Sequence, residues 1–235
     1  MLTVLTWLWR QPQSRAVYTA EHVNLWASMV ERNLTLPHRI ACVTDMPEGI
    51  DPSVEIIAPP HEFEDVRNSR WGERKPQCYR RLSMFRRDAA KIFGKRFVCM
   101  DLDCVIGGPL DPLFDRDEDL VLFKGTTKKR PYNGSMMLIR AGCRPQVYED
   151  FTPEGAEQSG SEFCGSDQAW LAHKLGWNEP TWDETDGVYF YARYQRNYER
   201  LKPRVLFFPG SLKPWHMSGD RFVRNNYRLT LKEAA

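Results

Sequence analysis

Residues 97–114 read FVCMDLDCVIGGPLDPLF. The apolar run Phe97, Val98, Cys99, Met100 passes into Asp101, Leu102 and Asp103, and Gly107, Gly108 and Pro109 end the stretch. A short apolar run bounded by turn residues reads as a buried strand. Residues two apart on a strand share a face, so Asp101 and Asp103 are expected to point the same way at its carboxyl end. In an open α/β sheet that end is where ligands sit. Two carboxylates brought together repel unless a positive charge stands between them. A hard divalent cation held through oxygen is one solution. An Asx turn, with Asp103 bonding the amides of Val105 and Ile106, is the other.

Upstream, LTVLTWLW (2–9) reads as a first buried strand, and AEHVNLWASMVERN (20–33) places Val23, Leu25, Trp26, Met29 and Val30 on one helical face. RIACVTD (39–45) and VEIIAPP (54–60) follow as strands, the second closed by its Pro-Pro. This is a β-α-β opening to a mainly parallel sheet. Residues 61–75 are polar and irregular. After Pro76, Tyr79, Leu82, Phe85, Ala89, Ile92 and Phe93 predict one helix, ended by Gly94, that feeds the carboxylate strand. Downstream, DLVLFKG (119–125), SMMLIRAG (135–142) and RVLFFPG (204–210) read as strands, and SDQAWLAHKLG (166–176) as a helix. There is no internal repeat. The fold class is α/β, with residues 1–235 as a single domain around a mixed, mainly parallel sheet.

The formal charge of +2 is too small to argue for nucleic-acid binding, yet Arg67, Arg70, Arg74, Lys75, Arg80, Arg81, Arg86 and Arg87 fall in one span. They are either a phosphate or polyanion site or the wet face of a helix. The 6 cysteines include no C-x-x-C pair and are expected as reduced thiols, which with an N-terminus lacking a basic leader points to a cytoplasmic protein. No stretch is apolar enough to be an integral membrane segment. The 8 tryptophans exceed what a core requires, so a ring-lined cleft is expected.

The order and wording of four segments resemble the GT-A fold glycosyltransferases, particularly the family 8-like enzymes. MDLDCVIGGPLDPLF looks like their DXD (Asp-x-Asp) strand and turn, YNGSMMLIRAG (132–142) like their Asn-containing strand, SDQAWLAHKLG like their Asp-Gln helix, and FPGSLKPWH (208–216) like their Gly-x-x-Lys-Pro-Trp loop. The resemblance implies a Rossmann-like GT-A domain with a nucleotide-binding half (1–103) and a half for donor sugar and acceptor (104–235). It implies Mn2+ or Mg2+ held by Asp101 and Asp103, and a nucleotide-sugar, UDP-sugar by expectation, whose diphosphate meets the metal and Lys213. Arg81, Asp101 and Trp215 join the donor site, as do Thr6 and Trp7 at the end of the first strand, where core packing is the alternative. Only one of Arg80 and Arg81 can face the site, because neighbours on a helix point apart. Asp167, Gln168 and Asn133 would meet sugar hydroxyls as the catalytic set, with anomeric retention. For Ser166 and Asp167 the plain alternative is a helix N-cap.

One departure stands out. The family's metal-binding histidine precedes Lys-Pro-Trp by a few residues, where this chain has Phe207, Phe208 and Pro209. His216, just after Trp215, is the candidate third ligand; carboxylates and water alone are the alternative. The acceptor is open: a glycan, lipid-linked glycan, protein or modified DNA, met by the basic loop Lys128, Lys129, Arg130 or by YARYQRNYERLKPR (191–204). Two rival readings remain. Asp101 and Asp103 also fit a haloacid dehalogenase-like phosphatase, with Lys174, Asp183 and Asp186 as a loose match for its remaining residues. A non-catalytic nucleotide- or glycan-binding module is the other.

Overall fold

The strand-helix-strand opening is present, and it builds one side of the main sheet. In the computed structural model, which describes residues 1–10, 16–69, 78–194 and 201–229, the elements run β1 (Leu2–Leu8), α1 (Ala20–Asn33), β2 (His38–Thr44), β3 (Glu55–Ile57), a 3-10 helix (Cys78–Phe85), α2 (Ala90–Phe93) and β4 (Arg96–Met100). There follow β5 (Cys104–Ile106), α3 (Asp111–Phe114), β6 (Leu120–Thr127), β7 (Arg130–Arg140), α4 (Gln146–Glu149), α5 (Pro153–Glu162) and α6 (Asp167–Leu175). The chain ends with β8 (Thr181–Trp182), a 3-10 turn (Glu184–Asp186), β9 (Val188–Phe190), α7 (Tyr191–Tyr194), β10 (Val205–Phe207), a 3-10 turn (Pro214–His216) and α8 (Arg221–Asn226).

The main sheet has seven strands in the order β3-β2-β1-β4-β7-β6-β8. β1 pairs in parallel with β2 and β4, β2 with β3, and β6 with β8, while β7 runs antiparallel to both β4 and β6. The sheet is therefore mixed and mainly parallel. A strand covered on both faces needs no polar alternation, and every residue of β1 is buried. Its side chains divide between two cores: Val4 and Leu8 pack with α1, Val98 and Met100, whereas Leu5 and Trp7 pack with Phe97, Cys99 and the 78–85 segment. A second sheet, β5-β10-β9, covers the first of these cores.

The single helix expected after Pro76 is a correction. Cys78–Phe85 is 3-10, and α2 is only Ala90–Phe93 before Gly94 turns the chain at φ 91°. All seven residues Tyr79–Phe85 are buried, so the segment has no wet face around which an amphipathic α-helix would form, and Ser83 Oγ donates to the Arg80 carbonyl at 2.7 Å. All six cysteines are free. Among the described residues no helix is long and apolar enough to cross a membrane.

Candidate functional site

β4 leaves the main sheet at its carboxylates. Asp101 N–H donates to the Ser135 carbonyl of β7 at 2.9 Å, and two residues later the Asp103 carbonyl accepts Phe208 N–H at 2.9 Å as the chain enters the small sheet. Asp101 and Asp103 thus stand where the chain crosses between two sheets. Both line a cavity of about 650 Å3, within the usual size range of ligand sites. Its walls include Trp7, Trp9, Tyr18, Tyr79, Arg81, Asn133, Asp167, Gln168 and Lys213.

Each carboxylate already has its own protein cation. Arg81 Nη1 donates to Asp101 Oδ1 at 2.8 Å, and its Nη2 donates to the Gly134 carbonyl. The same guanidinium presents Nε to Asp167 Oδ2 at 3.5 Å, within ion-pair reach but without a hydrogen bond. Arg81 therefore ties the end of β4, the start of β7 and the start of α6 together from inside, with its side chain 6% exposed and that of Asp167 8%. Burial works against the Arg81 charge, but Asp101 and the other anionic groups around it hold its pKa well above the ordinary value. Burial pushes the Asp167 carboxyl up, opposed by Arg81. Gly134 packs closely here: a Cβ would lie 3.3 Å from Asp167 Oδ2 and 3.4 Å from Arg81 Nη2.

Asp103 pairs with Lys213 and also accepts the Tyr18 hydroxyl at 3.1 Å, both on Oδ2. Burial and then Asp101 push its pKa up, while Lys213 and Tyr18 pull it down. Burial first, and Asp103 next, raise the Tyr18 phenol, which stays a neutral donor. Among the described residues the Asx turn does not form: Val105 lies in β5 and the amide of Ile106 donates to Met29 Sδ.

At the head of α6 Ser166 holds the N-cap position without capping through its side chain. Its hydroxyl meets Asp167 Oδ1 at 3.3 Å, and Oδ1 also accepts the Gln168 amide at 2.9 Å. Asp167 thus does part of the capping itself, and its Oδ2 is a buried acceptor with no hydrogen-bond donor among the described residues. Gln168 Nε2 donates to the Cys164 carbonyl at 3.0 Å, and Asn133 Oδ1 accepts the Ser135 amide at 2.8 Å, so both amide groups are oriented.

Three of the expected site residues fall outside this wall. Thr6 is fully buried in β1. Trp215 is not on the cavity wall; its ring lies 4.3 Å from that of His22 and 5.8 Å from that of the wall residue Tyr18. His216 is held by its own turn, where its Nδ1 accepts the Lys213 amide at 3.3 Å. Among the described residues no three His, Cys, Asp or Glu side chains gather in a way that could hold a metal ion, so Asp101, Asp103 and His216 are not assembled as a ligand set. Trp7 is core and cavity wall at once, 8% exposed and edge-on to Trp9 at 5.9 Å.

Among the described residues the basic span divides into separate ion pairs, with Arg67 and Arg81 on the cavity wall. Arg80 turns away from Arg81 to Glu64 at 3.4 Å and lies over the Trp9 ring at 5.8 Å. Arg86 pairs with Glu62 and Asp88, Arg87 with Glu149, and Arg67 with Asp65; Arg70, Arg74 and Lys75 lie outside the described residues. Of the basic loop, Arg130 lines the cavity while Lys128 and Lys129 are exposed. In the 191–204 tail, Arg193 pairs with Glu184, and 195–200 lie outside the described residues. The phosphatase set is not assembled: Lys174 pairs with Asp150, Asp183 with Lys124, Asp186 Oδ2 accepts the Asp183 amide, and none of the three lines the cavity. No local sequence signal marks Tyr18, whose partner is 85 positions away.

No family model and no curated protein matches this sequence. Solved structures do. The galactosyltransferase LgtC, in complex with donor and acceptor sugar analogs, superposes with a TM-score of 0.64 at 14% identity over 94% of each chain. The glycosyltransferase GlyE of Streptococcus pneumoniae TIGR4 gives 0.57 at 13% identity over 92% of this chain and 57% of its own. The bifunctional glycosyltransferase WbbM gives 0.54 at 12% identity over 91% and 46%. At these identities the likeness is one of fold.

Proposed function

We propose that this chain transfers a glycosyl group from a nucleotide-sugar, by expectation a UDP-sugar, to an acceptor hydroxyl. The observation that carries the reading is the convergence in one cavity of the crossover carboxylates Asp101 and Asp103, the Asp167-Gln168 helix start and Lys213, in a fold shared with glycosyltransferases. Residues 1–103 supply the nucleotide half of a single domain, with Trp7, Trp9 and Met46 on its wall, and 104–235 supply the sugar half.

The chemistry asks for a cation at the diphosphate and acceptors at the sugar. As the anomeric carbon–oxygen bond breaks, its electron pair moves to the departing phosphate oxygen, and a fixed positive charge there lowers the barrier. Lys213 is that charge. Asp167 Oδ2, short of a donor, accepts from a sugar hydroxyl, and Asn133 and Gln168 orient the ring. The acceptor oxygen adds to the anomeric carbon, with retention expected, and its proton passes to the departing phosphate. The divalent metal that the resemblance implies would find Asp101 paired with Arg81 and Asp103 with Lys213, and among the described residues no third His, Cys, Asp or Glu gathered with them. With both carboxylates already engaged by protein cations, these residues do not fit it as a resident cofactor.

The test is incubation with a panel of UDP-sugars, following release of UDP with water or added glycans as acceptor. Turnover in the wild type that falls at least about a hundredfold in Asp167→Asn, on the scale at which lost electrostatic and positioning groups act, supports the reading. UDP-sugars that neither bind nor turn over would sink it. A binding module that lacks turnover is the second outcome, favoured only by binding without UDP release.

A further inference from the structure

The Lys213 ammonium sits in a cage. Its Nζ donates to Asp103 Oδ2 and, at 3.3 Å, to the Phe208 carbonyl, and it lies 5.7 Å from the centre of the Tyr18 ring. Tyr18 is itself fixed, edge-on to Trp215 and bonded through its hydroxyl to the same Asp103 oxygen. Lys213 is 4% exposed and still lines the cavity. A lysine ammonium has three N–H donors. Two are taken, and among the described residues the third has no hydrogen-bond acceptor.

Where a third metal ligand would have to come from, this chain is committed elsewhere. Phe207 and Phe208 are each 1% exposed; Phe207 packs on Phe123 at 5.2 Å and Phe208 stacks on Tyr191 at 4.3 Å. His216 is tied to its own turn. A divalent ion at Asp103 would stand beside an ammonium that the fold holds in place, with like charges in a buried setting that screens them poorly.

We propose that the caged Lys213 ammonium replaces a divalent cation in this protein, so that the diphosphate of the donor binds without metal. Asp103 and Tyr18 are then positioning residues, which aim the free N–H of Lys213 at a phosphate oxygen. This rests on the donor-site reading above.

The experiment is a calorimetric titration of the purified chain with UDP, and with ADP, GDP and CDP in parallel, in EDTA and then in Mn2+ or Mg2+. The expected result is a Kd for UDP that agrees within about threefold across the three conditions, less than 1 kcal/mol on the affinity scale. Lys213→Ala should weaken UDP by at least about tenfold in EDTA and recover part of the loss only with Mn2+, because Asp103 is freed for the ion, whereas Lys213→Arg should keep metal-free binding. Thermal unfolding of each variant separates misfolding from lost contacts. Electron paramagnetic resonance of Mn2+ should show the ion free in solution with the wild type and bound with Lys213→Ala. UDP that binds the wild type only when metal is present overturns this inference and leaves the glycosyltransferase reading standing. No binding of any nucleoside diphosphate in any condition overturns both.

Discussion

The two ends of the β4–β7 pair use the same chemistry in opposite surroundings. At one end Arg81 meets Asp101 and Asp167 with the guanidinium and Asp167 almost fully covered. At the other, Arg96 opens β4 and donates to the Glu118 and Arg116 carbonyls, Arg140 closes β7 and pairs with Asp119, and both members of that pair are more than half exposed. Water screens the second set and not the first. Arginine-carboxylate pairs are therefore poor guides to a site until burial is known: burial separates Arg81 from Arg86 and Arg87, and its partners Asp101 and Asp167 on the cavity wall separate it from the equally covered Arg80, which turns to Glu64.

The largest effect belongs to Arg81→Ala. It leaves two carboxylates beside each other without their cation, and breaking a buried pair from one side costs about 3–5 kcal/mol. Urea unfolding reads it directly. A loss below about 1 kcal/mol would put Arg81 in the same class as the exposed pairs and remove the contrast. Next comes Gly134→Ala, whose added methyl would sit 3.3 Å from Asp167 Oδ2 and 3.4 Å from Arg81 Nη2, so that Asp167 must give by a few tenths of an ångström. The expected cost is about 1 kcal/mol, the low end for overpacking. UDP-sugar turnover should fall with it, since the methyl crowds an acceptor that has no donor among the described residues.

How far this was legible depends on range. β1, α1 and β2 follow from run length and helical spacing, and α1 has the expected bounds because local amphipathicity and burial agree there. Asp101, Asp103, Asp167 and Lys213 are nameable from the sequence because each lies in a recognisable segment. What each touches is not. Tyr18 and Lys213 reach Asp103 across 85 and 110 positions, and no periodicity encodes such contacts. In the small sheet β10 is read from RVLFFPG, but β5 and β9 are three-residue strands too short for an alternation pattern, and α5 carries two glycines and two serines with little apolar spacing, so its Thr152 cap is its main local signal. His216 misleads for a related reason: proximity in sequence to Lys213 becomes a bond within the turn rather than a shared ligand site.

Acid and base separate the two ends in sign. Glu118, held by Arg116, has its pKa lowered from 4.5 to about 2. The folded state then binds fewer protons than the unfolded one between those values, so this contribution is present above the ordinary value and is lost as pH falls toward 2. Asp167 is raised from 3.8 by burial. Its contribution runs the other way, present below the ordinary value and lost as pH rises through the higher folded one. In a series of Tm against pH, Glu118→Gln should flatten the acid limb and Asp167→Asn should flatten the decline above the ordinary carboxylate range. Variants that shifted the same limb would show that burial does not set the difference.

The smallest effect belongs to Arg140→Ala. Its partner Asp119 is 51% exposed and Arg140 itself 56%, so each charge keeps most of its hydration when the other is removed. Exposed pairs are worth about 0.2–1 kcal/mol, and salt screens them over a Debye length of about 8 Å at physiological ionic strength. Arg140 also closes β7, where its amide donates to the Asp119 carbonyl at 2.7 Å, and that backbone bond survives the substitution. Urea unfolding should place the variant within about 1 kcal/mol of the wild type and bring the two together as salt rises, while the Arg81→Ala deficit persists in the same salt series. If the Arg140 deficit were instead large and insensitive to salt, the Arg140–Asp119 pair would be behaving as a buried one. The division of this sheet into a dry end and a wet end would then have to be redrawn.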